Sequence, residues 1–302
     1  MRIRSWETLT AVGYLIVCLV VGLVLAQVYA PRPTVGVMYF EGLIDSASTQ
    51  QMEKILEAAG RDDRLVGVVV EINSPGGDAS GSEELYHALL QLRQRKPVVV
   101  TLDGLAASGG YYMAVAGNKI YASASTSVGN VGARIYRPFD PEISPDELST
   151  GPYKLSGGSR FDQIRQLELV KDAFVSSVVH QRSQSPYHPL QIDARTLAEG
   201  HLYLGGEALA IGLIDADGSR SDAILAAAEL AGVKKYRVVD LTDYLGLPFE
   251  PTMLEASTLQ SLLDDALPGT VLLLDSRIPL AGSAQETPLI EWLYSRWGES
   301  PM

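Results

Sequence analysis

Ser108 stands in a run of small residues, Ala106-Ala107-Ser108-Gly109-Gly110, that follows an apolar β-branched stretch, PVVVTL, at 97–102. A second glycine loop, Asn73-Ser74-Pro75-Gly76-Gly77-Asp78, follows a similar stretch, LVGVVVEI, at 65–72. Parallel α/β sheets bind ligands outside the carboxyl ends of their strands, so both loops are expected on one crevice. The chemistry such a pair could serve is acyl transfer, which needs a nucleophile and two N–H donors for the tetrahedral oxyanion. Ser108 is the candidate nucleophile, Gly109 one donor, and Gly76 or Gly77 the other. A small-residue helix start is usually just tight packing, and a Pro-Gly-Gly turn is usually just a turn. Their combination points to a site.

A serine hydroxyl needs a partner to take its proton. The four histidines are His87, His180, His188 and His201, with none between the first two. Triads assemble in space, so spacing alone leaves a Ser–His–Asp arrangement open. The other option is Lys154, in Gly151-Pro152-Tyr153-Lys154-Leu155, whose apolar neighbours could desolvate the ammonium. Burial would then lower its pKa until the neutral amine accepts a proton near pH 7. A lysine is ordinarily solvated, and the residues by themselves do not choose.

The elements around these loops alternate. A strand is expected at 34–40, a capped helix at 48–59, buried strands at 65–72 and 97–102, and a helix at 82–92 between them. The segment after Ser108 (YYMAVA) reads as helix, 119–122 as a short strand, and 128–132 as a glycine turn carrying Asn130. Helices follow at 161–182, 207–211 and 221–231, and 271–274 suits one more strand. Strand–helix alternation predicts crossover units around a mainly parallel sheet.

Between Glu7 and Arg32 no residue is charged, and 9–30 is almost wholly apolar, enough to cross a bilayer as a helix. Arg2 and Arg4 precede it, which places residues 1–8 in the cytoplasm and everything after Pro31 outside. Cleavage after Ala30 is opposed by Pro31, so the anchor is read as uncleaved. The lone Cys18 lies within the apolar run, so no intramolecular disulfide and no CxxC motif exists. The net charge of −12, without a Lys/Arg cluster, argues against a nucleic-acid partner.

The succession NSPGGD (73–78), GLAASGGYYMA (104–114), IYASASTSVGNVG (120–132) and GPYK (151–154) resembles the signal peptide peptidase A family. The likeness continues through EGHLYLGGEALAIGLIDADGSRSDAI (199–224) and covers about 35–233. By position, the resemblance implies Ser108 as nucleophile, Lys154 as general base, and Gly109 with the Gly76–Gly77 loop as oxyanion donors. It implies a Clp/crotonase-like fold of repeated β-β-α units and a homo-oligomer whose dyad is completed across protomers. Where the family's glycine turn carries a lysine-positioning serine this chain has Asn130, expected to substitute for it. Where the family has Asp after the lysine, this chain has Leu155.

The expected organisation is therefore a cytoplasmic N-terminus (1–8), an anchor (9–30), an extracytoplasmic peptidase domain (31–245) and an extension of unknown role (246–302). The expected activity is hydrolysis of signal peptides or other hydrophobic membrane-proximal peptides, with no metal and no cofactor. Neither an HExxH nor a P-loop motif occurs. The alternatives are a selective protease of one membrane partner, of the stomatin-operon type, a crotonase-type acyl-CoA enzyme, and a non-catalytic membrane scaffold. Retention of both Ser108 and Lys154 argues against the scaffold, and an external location argues against CoA chemistry.

Overall fold

The computed structural model describes residues 5–29, 32–135, 150, 151, 153, 154, 156–250 and 272–274. Expectations placed on Ala30, Pro31, Pro152, Leu155 and the rest of the 246–302 extension lie outside these residues. Helix α1 (Ser5–Tyr29) comes first, then β1 (Thr34–Ile44), α2 (Ser46–Arg61), β2 (Leu65–Asp78), α3 (Ala79–Arg93), β3 (Val98–Ala107) and α4 (Gly109–Ala114). Next come β4 (Lys119–Ala122), β5 (Ser127–Gly129), α5 (Arg160–Ser183), α6 (Ala194–Leu197), β6 (Leu202–Leu204) and α7 (Gly205–Ala210). The last are β7 (Ala216–Asp217), α8 (Arg220–Leu230), β8 (Arg237–Asp240), α9 (Leu241–Leu245) and β9 (Leu272–Leu274).

The strands form one sheet in the order β6-β5-β3-β2-β1-β8, with β4 on β3 and β7 on β4. All pairs are parallel except β5 with β6 and β2 with β9. This is the mainly parallel α/β sheet expected from the alternation. The central strands read as unbroken valine runs because both faces are covered. Successive side chains point to opposite faces. Met38, Phe40, Val68, Val70, Val98 and Val100 therefore pack with α2, α3 and α4, whereas Val35, Val37, Val69 and Val99 pack under α8. The second face is lined by Ala223, Ala226 and Ala227, whose small side chains let α8 lie close to the strands.

Caps set the helix starts. Asp45 and Ser48 form a capping box for α2, and Ser159 and Asp162 form one for α5. The Asp78 carboxylate accepts from the Gly81 amide, so α3 begins three residues earlier than periodicity suggested. The Asn73–Asp78 loop expected after β2 is instead strand: Gly76 and Gly77 pair with Leu43 and Ile44 of a lengthened β1. Beyond Leu245, Leu247 and Phe249 pack on the core, and the Phe249 ring lies 5.2 Å from that of Phe40.

Among the described residues no helix is long and apolar enough to cross a membrane. Several side chains of α1 lie outside that set. Its described side chains from Ala11 to Leu23 are all exposed, and most are apolar.

Candidate active site

Ser108 sits where β3 gives way to α4, with φ 52° and ψ −121°. A positive φ is uncommon outside glycine and is held only where surrounding bonds over-determine it. Here the Ser108 N–H donates to the Gly129 carbonyl at 2.8 Å, and its own carbonyl accepts from the Tyr112 N–H at 2.9 Å. The hydroxyl makes no capping bond to the helix, although the residue is only 2% exposed. Behind it α4 is wholly buried. The Tyr111 hydroxyl donates to the Leu213 carbonyl at 2.7 Å, and burial pushes the phenol pKa well up. The Tyr112 ring stacks on Phe174 at 4.5 Å.

The glycines after the serine are a packing requirement. A Cβ on Gly109 would come within 2.2 Å of Ser82 Oγ, and one on Gly110 within 2.8 Å of the Ser74 carbonyl oxygen. The turn after Ser108 is thus pressed onto Ser82 of α3 through Gly109 and onto Ser74 of β2 through Gly110. Fully buried, the Ser74 hydroxyl donates to the Gly42 carbonyl at 2.7 Å and accepts from the Gly76 N–H at 3.1 Å. The Gly76 amide is therefore engaged within its own turn, where φ is 99°. The other candidate donor, Gly77, pairs with Ile44 of β1 and with Leu273 of β9. Ser74 was not singled out in the sequence, because a serine before Pro-Gly-Gly looks like any turn residue.

The structure places the other candidates less closely. The burial expected of Lys154 from its apolar neighbours is not met within one chain: Lys154 is exposed, Tyr153 is 53% exposed, and the Lys154 amide donates to the Gly151 carbonyl at 3.3 Å. Asn130, in the turn after β5, also has a positive φ of 54°. Its backbone N–H donates to the His201 carbonyl at 2.8 Å and its side-chain amide to the Gly200 carbonyl at 2.9 Å. The side-chain carbonyl is the group left to receive an ammonium.

No imidazole bonds Ser108 among the described residues. His87 lies by Glu83, His180 bonds Gln184, His201 bonds Glu199, and the buried Nε2 of His188 has no partner. Among the described residues, no cluster of three His, Cys, Asp or Glu side chains could hold a metal ion.

Comparison with known proteins gives the family. The model of peptidase family S49 matches residues 91–234, and that of Clp protease matches residues 32–128. A putative protease of Methanocaldococcus jannaschii is 31% identical over 218 residues, covering 64% of this chain and 68% of that protein. The chain belongs to peptidase family S49. Protease 4 of Salmonella typhi is 33% identical over 224 residues, 70% of this S49 chain but 34% of that longer protein. A putative signal peptide peptidase of Enterococcus faecium is 27% identical over 184 residues, 58% of this chain and 52% of that one. The S49 chain thus spans about a third of the length of Protease 4. The S49 match takes in β3, α4 and the Lys154 segment, and the Clp match takes in β1, β2 and the Ser108 turn.

Proposed function

We propose that this chain is a membrane-anchored serine endopeptidase that cleaves hydrophobic, membrane-proximal peptides, remnant signal peptides among them. The observation that carries the reading is Ser108 itself. It is a strained serine at a strand–helix junction, followed in the chain by Gly109, with Gly110 packed against Ser74, whose hydroxyl holds the Gly76 amide.

In this mechanism the neutral Lys154 amine takes the Ser108 proton as Oγ attacks the peptide carbonyl. The N–H groups of Gly109 and Gly77 hold the oxyanion, and Lys154 then protonates the leaving amine. Water, activated by the same amine, hydrolyses the acyl-enzyme. Asn130 orients the lysine.

A lysine solvated in one chain needs other surfaces to bury it before it can act as a base near pH 7. Next to the lysine segment, α5 exposes Phe161 (82%), Ile164 and Leu169, apolar surface suited to a neighbouring protomer. A homo-oligomer in which one protomer's Lys154 serves another's Ser108 follows from this reading. The apolar helix α1 supplies the anchor, with the catalytic domain on the extracytoplasmic side.

The test is hydrolysis of a leucine-rich peptide by the full chain in detergent micelles, compared with Ser108→Ala and Lys154→Ala. Both variants are expected to fold, assemble and be inert, and mixing them is expected to restore activity if protomers share the dyad. Full activity in Lys154→Ala sinks the base assignment. Activity in Ser108→Ala sinks the peptidase reading.

A further inference from the structure

Ser82 lies in the first turn of α3 and is fully buried. Serine is mostly a surface residue, so a buried one on a helix calls for a partner. Its hydroxyl donates to the Asp78 carbonyl one turn back at 2.6 Å, which fixes the side-chain rotamer. The oxygen so placed stands against Gly109. A Cβ on Gly109 would lie 2.2 Å from Ser82 Oγ and 3.2 Å from Ile44 Cδ1, so the glycine rests on these two side chains.

The Ser108 carbonyl and the Gly109 N–H belong to one planar peptide unit. Its carbonyl end is held by the Tyr112 N–H at 2.9 Å. Its other end is the Gly109 Cα, the atom that meets Ser82. As the first residue of α4, Gly109 has no acceptor for its N–H within the helix. Ser108 keeps φ 52° and ψ −121°, outside the favoured regions, and such a backbone relaxes unless its surroundings over-determine it.

Resting on the peptidase reading above, we propose that Ser82 is a positioning residue for the oxyanion site. Its oxygen is the stop that keeps the Gly109 end of the peptide from rotating, and so aims the Gly109 N–H at the developing oxyanion. With the carbonyl end fixed by Tyr112 and the Cα end by Ser82, planarity sets the N–H direction. Removing the oxygen opens a space beside Gly109 into which the strained turn relaxes, and the amide moves with it.

The test compares the full chain in detergent micelles with Ser82→Ala. Lys96→Met, which loses buried hydrogen bonds before the start of β3, is the structural control. The readouts are kcat and KM for a leucine-rich peptide and the affinity of the matching peptide aldehyde, whose tetrahedral adduct places an oxygen in the oxyanion site. Ser82→Ala is expected to lower kcat and aldehyde affinity together by about 10–10²-fold, the effect of an ångström-scale misplacement, with KM nearly unchanged. Lys96→Met is expected to melt lower and keep both. Size complementation supplies a second arm. Gly109 has an ordinary φ, so only the contact opposes a side chain there. Gly109→Ala is expected to lose turnover, and adding Ser82→Gly is expected to recover it by about tenfold or more, the new methyl standing in for the lost oxygen.

Unchanged kcat in Ser82→Ala, a rise in KM alone, an equal fall of kcat in Lys96→Met, or no recovery in the double variant overturns the proposal. A crystal structure of Ser82→Ala with the Ser108–Gly109 peptide in its native orientation overturns it too, whether or not the chain cleaves. A native chain that cleaves no peptide and binds no aldehyde sinks the peptidase reading, and that crystal structure still decides whether Ser82 holds the peptide.

Discussion

Replacing Ser74 by alanine tests whether the glycine segment is held in place for catalysis. The hydroxyl satisfies two buried main-chain groups, the Gly42 carbonyl at 2.7 Å and the Gly76 N–H at 3.1 Å. Each group left without a partner in the interior costs about 1–3 kcal/mol, so a loss of about 2–6 kcal/mol of stability is expected for the two. The larger consequence falls on rate. Gly76 has φ 99° and precedes the proposed donor Gly77, so a loosened turn re-aims that amide. Loss of a single oxyanion donor lowers kcat by roughly 10²–10³-fold. Ser74→Ala is therefore expected to lower kcat by on the order of 10²-fold with KM changed by less than about threefold, because the donor acts on the transition state and not on the bound peptide. The assay is steady-state hydrolysis well below the melting temperature, paired with the affinity of a peptide aldehyde that mimics the tetrahedral state. Affinity for the aldehyde should fall in parallel with kcat. A variant with unchanged kcat, or with KM raised and kcat intact, would refute the reasoning.

Other substitutions bear on the frame. Gly110→Ala places a methyl within 2.8 Å of the Ser74 carbonyl oxygen, and a destabilisation of about 1–3 kcal/mol is expected in thermal melts, with reduced kcat. The Lys96 ammonium donates to the carbonyls of Ala59, Asp62 and Leu65 at 2.7–2.8 Å, so Lys96→Met should cost about 3 kcal/mol in denaturant unfolding and leave KM unchanged. Arg182 and Asp215 form a buried pair at 2.7 Å, and Arg182→Met, which strands the carboxylate, should cost about 3–5 kcal/mol. The carboxyls of Asp162, Asp193 and Asp222 are held below 3.8 by hydrogen bonds from Ser159, Thr196 and Ser219 respectively. Their folded pKa values are depressed, so the stability they contribute is present above about pH 4 and is lost as pH falls through the folded values. Melting temperature measured between pH 5 and pH 2 should fall less steeply in a Ser159→Ala variant than in the native chain.

The parts of the fold that were legible in the sequence are those whose signal is local. The valine runs of β2 and β3 announce strands buried on both faces. The Ser159–Asp162 box places the start of α5 within one residue of the expected 161–182. The turn from strand to helix at Ser108 was legible because small residues after an apolar strand are a local pattern too. What was hidden depends on partners distant in the chain. Asn73–Asp78 looks like a turn from its Pro-Gly-Gly content and becomes strand only because Leu43 and Ile44 pair with it. Ser74 acquires its role from Gly42, thirty-two residues earlier. The apolar neighbours of Lys154 suggested a buried amine, but one chain leaves it in solvent. Burial of that residue depends on surfaces that no reading of its neighbours in sequence supplies.

The most direct measurement of the central claim is to trap the acyl-enzyme. The full chain in detergent micelles is mixed with a leucine-rich peptide 4-nitrophenyl ester, nitrophenol release is followed through the first turnover, and the quenched protein is digested and mapped by mass spectrometry. The account predicts a burst approaching one nitrophenol per active site, with the acyl group on the peptide containing Ser108 and no burst in Ser108→Ala. An acyl group found on another residue, or an undiminished burst in Ser108→Ala, would contradict it.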